Sequence, residues 1–396
     1  MKPKLLLFLH NPELALSHVG GLAVLERQLF TARRAGFEEL WISGHPLDLG
    51  GLRLPEGLSI HWAKDGECRP PYATLASGHF VRIPVLRSII ESTPKGPCQW
   101  LRGDAVVLQW VPEGSDRAVA PKRIQLGPDD SFIASADADD KGPCRDWLLA
   151  VGIKPQDGFM ARHFDRRISM AISKRLLETP VTPNHMTIAS TLIGLTGASL
   201  FAIPGYWSSL SGALLIWFHS VIDGCDGELA RVKFLESPGG ADLDFWGDNL
   251  VHFALFSCLG LGLYLAEGSA LPLALGAASA LSGLGSAAVA YLERLARRRD
   301  PARASAQSKL AQLEETLAAR DFIYLLVALA ALGWTRPFLW MSGLGSPAFF
   351  AMTLYLRISK GVGHEQSQRT DSNPQGQAGR ASAGHGSGHQ HVHSGR

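Results

Sequence analysis

What this sequence lacks narrows its chemistry before any motif is read. Its five cysteines (Cys68, Cys98, Cys144, Cys225 and Cys258) form no CxxC pair and no zinc-ligand spacing. With an odd count, and two of them in apolar segments, a disulfide framework is not expected. There is no lysine- or arginine-rich arm interleaved with aromatics, and the net charge is only +2, so no nucleic acid is expected as a partner. No internal repeat of fixed period occurs. Residues 361–396 hold almost no aliphatic side chains, and a disordered His/Gly/Ser-rich tail is expected there because too little surface can be buried. His385, His389, His391 and His393 in that tail lack the fixed geometry a metal site needs. The opening "MKPKLLLFLHNPE" has an apolar core too short for a signal peptide and reads as the buried first strand of a cytosolic domain.

What is present is split along the 396 residues, of which 46% are hydrophobic. Residues 1–150 read as an α/β domain. "KLLLFLH" (4–10), "FEELWISG" (37–44) and "DAVVLQWV" (104–111) are strand candidates. Residues 21–36 have helical periodicity with Gly36 as the stop, and 51–73 are read as loop. Residues 157–180 form an expected amphipathic helix. Phe159, Phe164, Ile168, Ile172 and Leu176 recur at helical spacing, with Arg162, Arg166, Arg167, Lys174 and Arg175 on the other sides, as suits a membrane surface.

Residues 181–358 carry apolar segments at 186–204, 207–223, 249–266, 269–292, 321–335 and 337–356. A bilayer-crossing helix needs about 20 largely apolar residues, so six spans are expected, the fifth being short. Arg294, Arg297, Arg298, Arg299, Arg303 and Arg320 crowd the connection between the fourth and fifth segments, whereas the first and third turns hold no Lys or Arg. Six spans therefore put the basic connections, the amino-terminal domain and both termini on the cytosolic side, with Arg336 as the one contrary residue. The fold class expected is an α-helical integral membrane domain of six transmembrane helices, preceded by a cytosolic α/β domain, in contact with the lipid bilayer.

Acidic residues interrupt this pattern. Asp223 and Asp226 are three apart at the end of the second apolar segment, and Asp244 and Asp248 are four apart at the start of the third. Each pair shares one face of a helix. Gly240 extends the second face by four residues, and "GELARVKFLESPGG" (227–240) reads as a short connection with Pro238-Gly239-Gly240 at its turn. Four carboxylates converging in a low-dielectric site repel one another unless they are protonated or hold cations. Oxygen-only ligands suit Mg²⁺ or Mn²⁺, and a pair of ions gripping a diphosphate is the natural use of such a site.

The pattern Asp223-x2-Asp226-Gly227-x2-Ala230-Arg231-x8-Gly240-x3-Asp244-x3-Asp248 resembles the signature of the CDP-alcohol phosphotransferase family, over roughly residues 157–357. The resemblance implies a six-helix membrane enzyme that moves a substituted phosphate from a CDP-alcohol to a second alcohol and releases CMP. It implies that Asp223, Asp226 and Asp244 ligate metal, that Asp248 completes the site and acts as general base, and that two ions of Mg²⁺ or Mn²⁺ are held. Gly227, Ala230, Arg231 and Gly240 would face the nucleotide, as would Asn184 and Thr187 in "TPNHMT" (182–187). Thr182-Pro183-Asn184 also suits a helix cap. His252 reads as a hydrogen-bonded interior histidine and Asp242 as solvated, and Glu228 has no assigned role. The donor is CDP-diacylglycerol or a CDP-polyol, the acceptor a polyol or polyol phosphate such as inositol or glycerol phosphate, and a homodimer is the expected assembly.

Residues 19–44 and 101–108, the latter with Asp104, resemble a sugar-phosphate nucleotidyltransferase. The glycine-rich loop and basic residue of such domains are replaced by "LLLFLHNPELALSHVGG", which implies a degenerate domain. Two alternatives stand beside this reading: a bifunctional enzyme whose first half makes the CDP-alcohol, and a cation transporter lined by intramembrane acids.

Overall fold

The computed structural model describes residues 3–44, 46–64, 67–114, 119–134, 141–151, 164–299 and 322–371. The α/β region opens with β1 (Lys4–Leu9), a short α1 (Pro12–Leu16), a small hairpin β2 (His18–Val19) and β3 (Leu22–Ala23), and α2 (Val24–Ala35). It continues through β4 (Glu39–Gly44), β5 (Ser59–Ala63), β6 (Tyr72–Ala76), β7 (His79–Val81) and α3 (Ile83–Ser92). The remaining elements are β8 (Cys98–Arg102), β9 (Ala105–Val111), β10 (Lys122–Gln125), β11 (Ser131–Ile133) and α4 (Lys141–Val151). Seven strands form one mixed sheet in the order β10-β8-β9-β6-β1-β4-β5.

β1 pairs in parallel with both β4 and β6, and its leucines are buried, as expected for a central strand covered on both faces. Gly36 ends α2 in the left-handed conformation, at φ 114. β5 falls within the stretch read as loop. It is an edge strand whose Ile60 and Trp62 only half-bury, so its alternation is weak in sequence. Asp104 lies exposed at the turn between antiparallel β8 and β9, not on a strand.

The helical region begins with α5 (Arg166–Leu176), followed by α6 (Pro183–Leu200), α7 (Tyr206–Val232), α8 (Pro238–Glu267) and α9 (Ala270–Arg299). Past an interval outside the described residues come α10 (Phe322–Ala331) and α11 (Thr335–Asp371). α6 packs on α7 and α8, α9 packs on α8 and α11, and α10 packs on α7. α6 and α7 cross at two glycines: a Cβ on Gly212 would stand 2.7 Å from the Gly197 carbonyl oxygen. Small residues at such crossings let helix backbones approach closely.

Among the described residues, two helices, α8 and α9, are long and apolar enough to cross a membrane. α10 is a shorter apolar helix, and the expected start of its segment at 321 lies outside the described residues, as do Arg162, Arg303 and Arg320. α11 continues to Asp371, into the stretch expected to be irregular from 361. A helix once nucleated extends at little cost per residue, which polar composition alone does not reveal.

On α5 the buried positions are Ser169 and Ser173, while Phe164 and Ile168 face outward. The serines pack inward together with the half-buried Ile172 and Leu176 of the apolar stripe, against a cluster that includes Ile222, Cys225 and Leu229 of α7. The joint between α7 and α8 is also shorter than the sequence suggests. α7 runs through Gly227 and Ala230 to Val232, and α8 begins at Pro238, where Ser237 caps it by accepting from the Gly240 amide at 3.0 Å.

That five-residue joint is the docking point of the α/β region. Phe234 adopts φ 51, a left-handed conformation that costs a residue with a Cβ about 1–2 kcal/mol. Its ring stacks on Phe30 of α2 at 5.3 Å, beneath the Arg34 guanidinium. Arg27 donates to the Val232 carbonyl at 2.7 Å, and Arg53 donates to those of Lys233 and Phe234, each at 3.1 Å. Arg34 pairs with Glu236. Buried Glu26 fixes Arg53 by accepting its backbone N–H at 2.6 Å. Burial lowers Arg27 to about 10, so it remains charged at neutral pH and faces the negative end of α7. From the joint itself, Lys233 reaches back and donates to the carbonyls of Leu176, Thr179 and Val181 at 3.2, 2.8 and 3.0 Å, tying down the turn that leads into α6.

Lys233→Met should therefore lower stability by about 2–3 kcal/mol, because three carbonyls lose a charged donor. Lys174→Met, which breaks an exposed pair with Asp146, should cost no more than about 1 kcal/mol. Thermal unfolding of both variants in detergent checks the contrast.

Candidate active site

Three helices bring the predicted residues together. α7 carries Asp223, Asp226, Gly227, Ala230 and Arg231. α8 carries Gly240, Asp244 and Asp248, and the first turn of α6 carries Asn184 and Thr187. One carboxylate oxygen each from Asp223, Asp226 and Asp244 lies within 4.8 Å of the others. Asp223 and Asp226 are buried and Asp244 is half-buried. Oδ1 of Asp244 is buried with no hydrogen-bond partner among the described residues. An acceptor left so, beside two more carboxylates, suits a hard divalent cation. Asp248 lies one helical turn beyond Asp244, its side chain 18% exposed, and faces Nε2 of His219 at 3.5 Å.

Supporting contacts fix the acids in place. Thr187 donates to Asp226 Oδ2 at 2.5 Å, so its hydroxyl is committed to a carboxylate rather than turned toward a nucleotide. Thr182 caps α6 by accepting from the His185 amide at 3.4 Å. Asn184 is exposed and close-packed on α8: a Cβ on Gly240 would stand 3.0 Å from its Oδ1. The glycine therefore leaves room at the mouth of the site. Gly227 lies against Arg231 in the same way, with 2.9 Å from a would-be Cβ to the guanidinium.

Several residues here were not anticipated. His219 is buried, its Nδ1–H donating to the Ser190 carbonyl at 2.9 Å, which turns Nε2 toward Asp248. Its only sequence signal is its place four residues before Asp223, on the same helical face. Glu228 is not idle: it is buried and accepts from Arg166 at 2.8 Å and Ser169 at 2.7 Å, locking α5 to α7 behind the acids. Asp242 is not simply solvated. It accepts two bonds from Arg298, at 2.9 and 2.8 Å, which joins the start of α8 to the end of α9. Arg294 donates to the Ala241 carbonyl at 3.1 Å and lies over Phe245. His252 packs edge-on against Phe322, with ring centroids 5.4 Å apart.

Part of the chain is similar to known proteins. Residues 180–348 match the family described as CDP-alcohol phosphatidyltransferase. The chain is 38% identical over 236 residues to a bifunctional IPC transferase and DIPP synthase of Rubrobacter xylanophilus, covering 57% of this chain and 49% of that protein. With the protein of the same description from Aquifex aeolicus it shares 34% identity over 126 residues, covering 32% of this chain and 28% of the relative. It thus spans half or less of the length of these curated relatives. The crystal structure of Mycobacterium tuberculosis phosphatidylinositol phosphate synthase with CDP-DAG bound aligns over 48% of this chain and 92% of its own, at 22% identity. The TM-score is 0.34, too low for transfer of detail.

Repulsion among the three clustered carboxylates gives the domain a testable signature. In chelator at pH 7.5, Asp244→Asn should raise the thermal midpoint by relieving about 1–3 kcal/mol of like-charge repulsion. With Mn²⁺ in excess the order should reverse, because the parent gains more from the ion than the variant does. Differential scanning fluorimetry with and without Mn²⁺ reads both signs.

Proposed function

We propose that the protein is an integral membrane phosphotransferase that moves a substituted phosphate from a CDP-alcohol to an acceptor alcohol and releases CMP. The observation that carries this reading is the convergence of Asp223, Asp226 and Asp244 within 4.8 Å at a helix junction with the family's spacing. In this reading α6 to α11 cross the bilayer as six helices, and α5 lies on its inner surface with Phe164 and Ile168 toward lipid. The α/β region and both termini face the cytosol. The outward coat supports a lipid environment: Leu192, Leu281, Leu292 and Leu344 are each at least 60% exposed.

The four aspartates would hold one or two ions of Mg²⁺ or Mn²⁺, which when bound neutralise the diphosphate and the leaving CMP. The chain's own residues do the rest. Asp248, half-buried and held by His219, takes the proton from the acceptor hydroxyl. The acceptor oxygen then bonds to the phosphorus bearing the donor alcohol, and the P–O bond to CMP breaks. Thr187 holds Asp226 so that its remaining lone pairs point into the site. Asn184, Gly227, Ala230, Arg231 and Gly240 outline the nucleotide side. Donor candidates are CDP-diacylglycerol and CDP-polyols, and acceptor candidates are inositol and glycerol phosphates.

The bifunctional description of the relatives raises a second reading, in which the α/β region makes the CDP-alcohol. Against it stands the use of the hairpin after β1, where a phosphate cradle would lie. The Gly20 amide is taken by Glu178 Oε1 at 3.0 Å, and a Cβ on Gly21 would stand 2.5 Å from the Leu177 carbonyl oxygen. Those groups dock the helical region instead of a triphosphate.

Purified protein in detergent with Mn²⁺ should release CMP from one member of a panel of CDP-alcohols and polyol phosphates. Asp248→Asn should lower the rate about 10²–10⁴-fold. The same protein given CTP and a polyol phosphate should yield no pyrophosphate. Ion flux into proteoliposomes without CMP formation would move the protein to the transporter class.

A further inference from the structure

One cavity lies apart from the four aspartates and shares only Arg231 with the nucleotide side described above. It has a volume of about 370 Å³ and lies where α2, the β7–α3 junction and α4 meet the end of α7. None of the four aspartates lines it. Its described wall is rich in cationic and aromatic groups, including Arg27, Arg82, Arg231, Phe80 and Trp147. The one carboxylate on that wall, Glu236, is already paired with Arg34.

The polar atoms that line this space are unbalanced. Nε of Arg27, Nε of Arg82 and Nε1 of Trp147 are buried donors with no acceptor among the described residues. Native structures leave few buried donors in that state, and an unrecorded ion or water is a standard reason for one. Three around a single cavity, with no orphaned acceptor on the same wall, call for an occupant that brings oxygens and negative charge. The Arg27 guanidinium lies over the rings of Phe80 and Phe234, at 5.6 and 5.8 Å, which keeps its charge at the cavity edge. The volume falls within the range of small-ligand sites.

We propose that this interdomain cavity is a second ligand site, taking a phosphate-bearing small molecule whose oxygens accept from Arg27, Arg82 and Trp147. The proposed contacts, Arg27, Arg82 and Trp147, have no role in the transfer reaction, and the site does not depend on the activity proposed for the aspartates.

The test is calorimetric titration of inorganic phosphate into the full-length protein in detergent with excess chelator, which leaves the acid cluster without cations and repelling anions. Saturable binding at one site is expected. Arg82→Ala should weaken it about tenfold or more and Trp147→Phe several-fold, while Asp248→Asn leaves it unchanged. If Arg82→Ala does not fold, Trp147→Phe, which keeps a ring and removes the indole N–H, reads the same loss. CMP run as a competitor separates two sources of the phosphate group: displacement assigns a nucleotide, and failure to displace assigns the free anion. Binding that neither Arg82→Ala nor Trp147→Phe weakens, or no saturable phosphate binding at all, would overturn the site and leave water as its occupant. Because the readout is binding without metal, loss of CMP release would not count against it.

Discussion

Mutual repulsion of carboxylates held within 4.8 Å of one another is the constraint from which the rest of the helical region follows. Such a cluster holds its geometry only if each acid is anchored separately and the helices bearing them cannot drift apart. Both conditions are met by contacts outside the cluster. Thr187 on α6 holds Asp226, His219 on α7 holds Asp248, and the buried Glu228–Arg166 pair keeps α5 against the back of α7. The Asp242–Arg298 fork holds the start of α8 against α9. Each is a polar partner beside the acids, where it orients without occupying their open side.

The joint between α7 and α8 sets the distance between the two acid-bearing faces. A five-residue joint with a left-handed Phe234 is not self-sufficient, since its carbonyls point outward and its conformation is strained. Arg27 and Arg53 donate to three carbonyls in or next to it, Lys233 ties it to three more in the turn before α6, and Phe30 supplies a stacking surface. The α/β region thus acts on the acid site through the backbone of the joint rather than through any residue of its own near the acids. The hairpin after β1 takes part in this docking, through Gly20 and Glu178.

What the sequence made legible was local. The buried β1 and the α2 helix with its Gly36 stop announce themselves by composition and period, and the aspartate spacing fixes which acids share a face. What stayed hidden depends on partners distant in the chain. Arg166 and Glu228 are 62 residues apart, and Arg27 meets the Val232 carbonyl across 205. Neither leaves a periodic trace. α7 looked as if it ended near Asp223 because polarity rises there. In the structure that polarity is buried, since Asp223, Asp226 and Glu228 all lie inside. The serine face of α5 misled for the opposite reason. Small polar residues pack well between helices, so Ser169 and Ser173 join Ile172 and Leu176 in the contact, while Ile168 is left outside.

α7 is the element through which the two ends of this system can communicate. It carries His219 and the acids at one level and Arg231 and Val232, on the wall of the cationic cavity, at the other. From Asp226 to Arg231 the helix rises by about 7.5 Å, at about 1.5 Å per residue. Over so short a distance an α-helix is effectively rigid, so a ligand that draws the Arg231 end toward α2 must also move Asp226 relative to Asp244. Gly227, stacked directly on Arg231, offers no side chain to absorb such a shift. If α7 moves as a unit, occupancy of the cavity and cation binding at the acids are linked, and linkage is reciprocal: each alters the affinity of the other by the same factor. If Arg27 and Lys233 already hold the joint immobile, the two sites are independent. The density of donors on that joint favours independence.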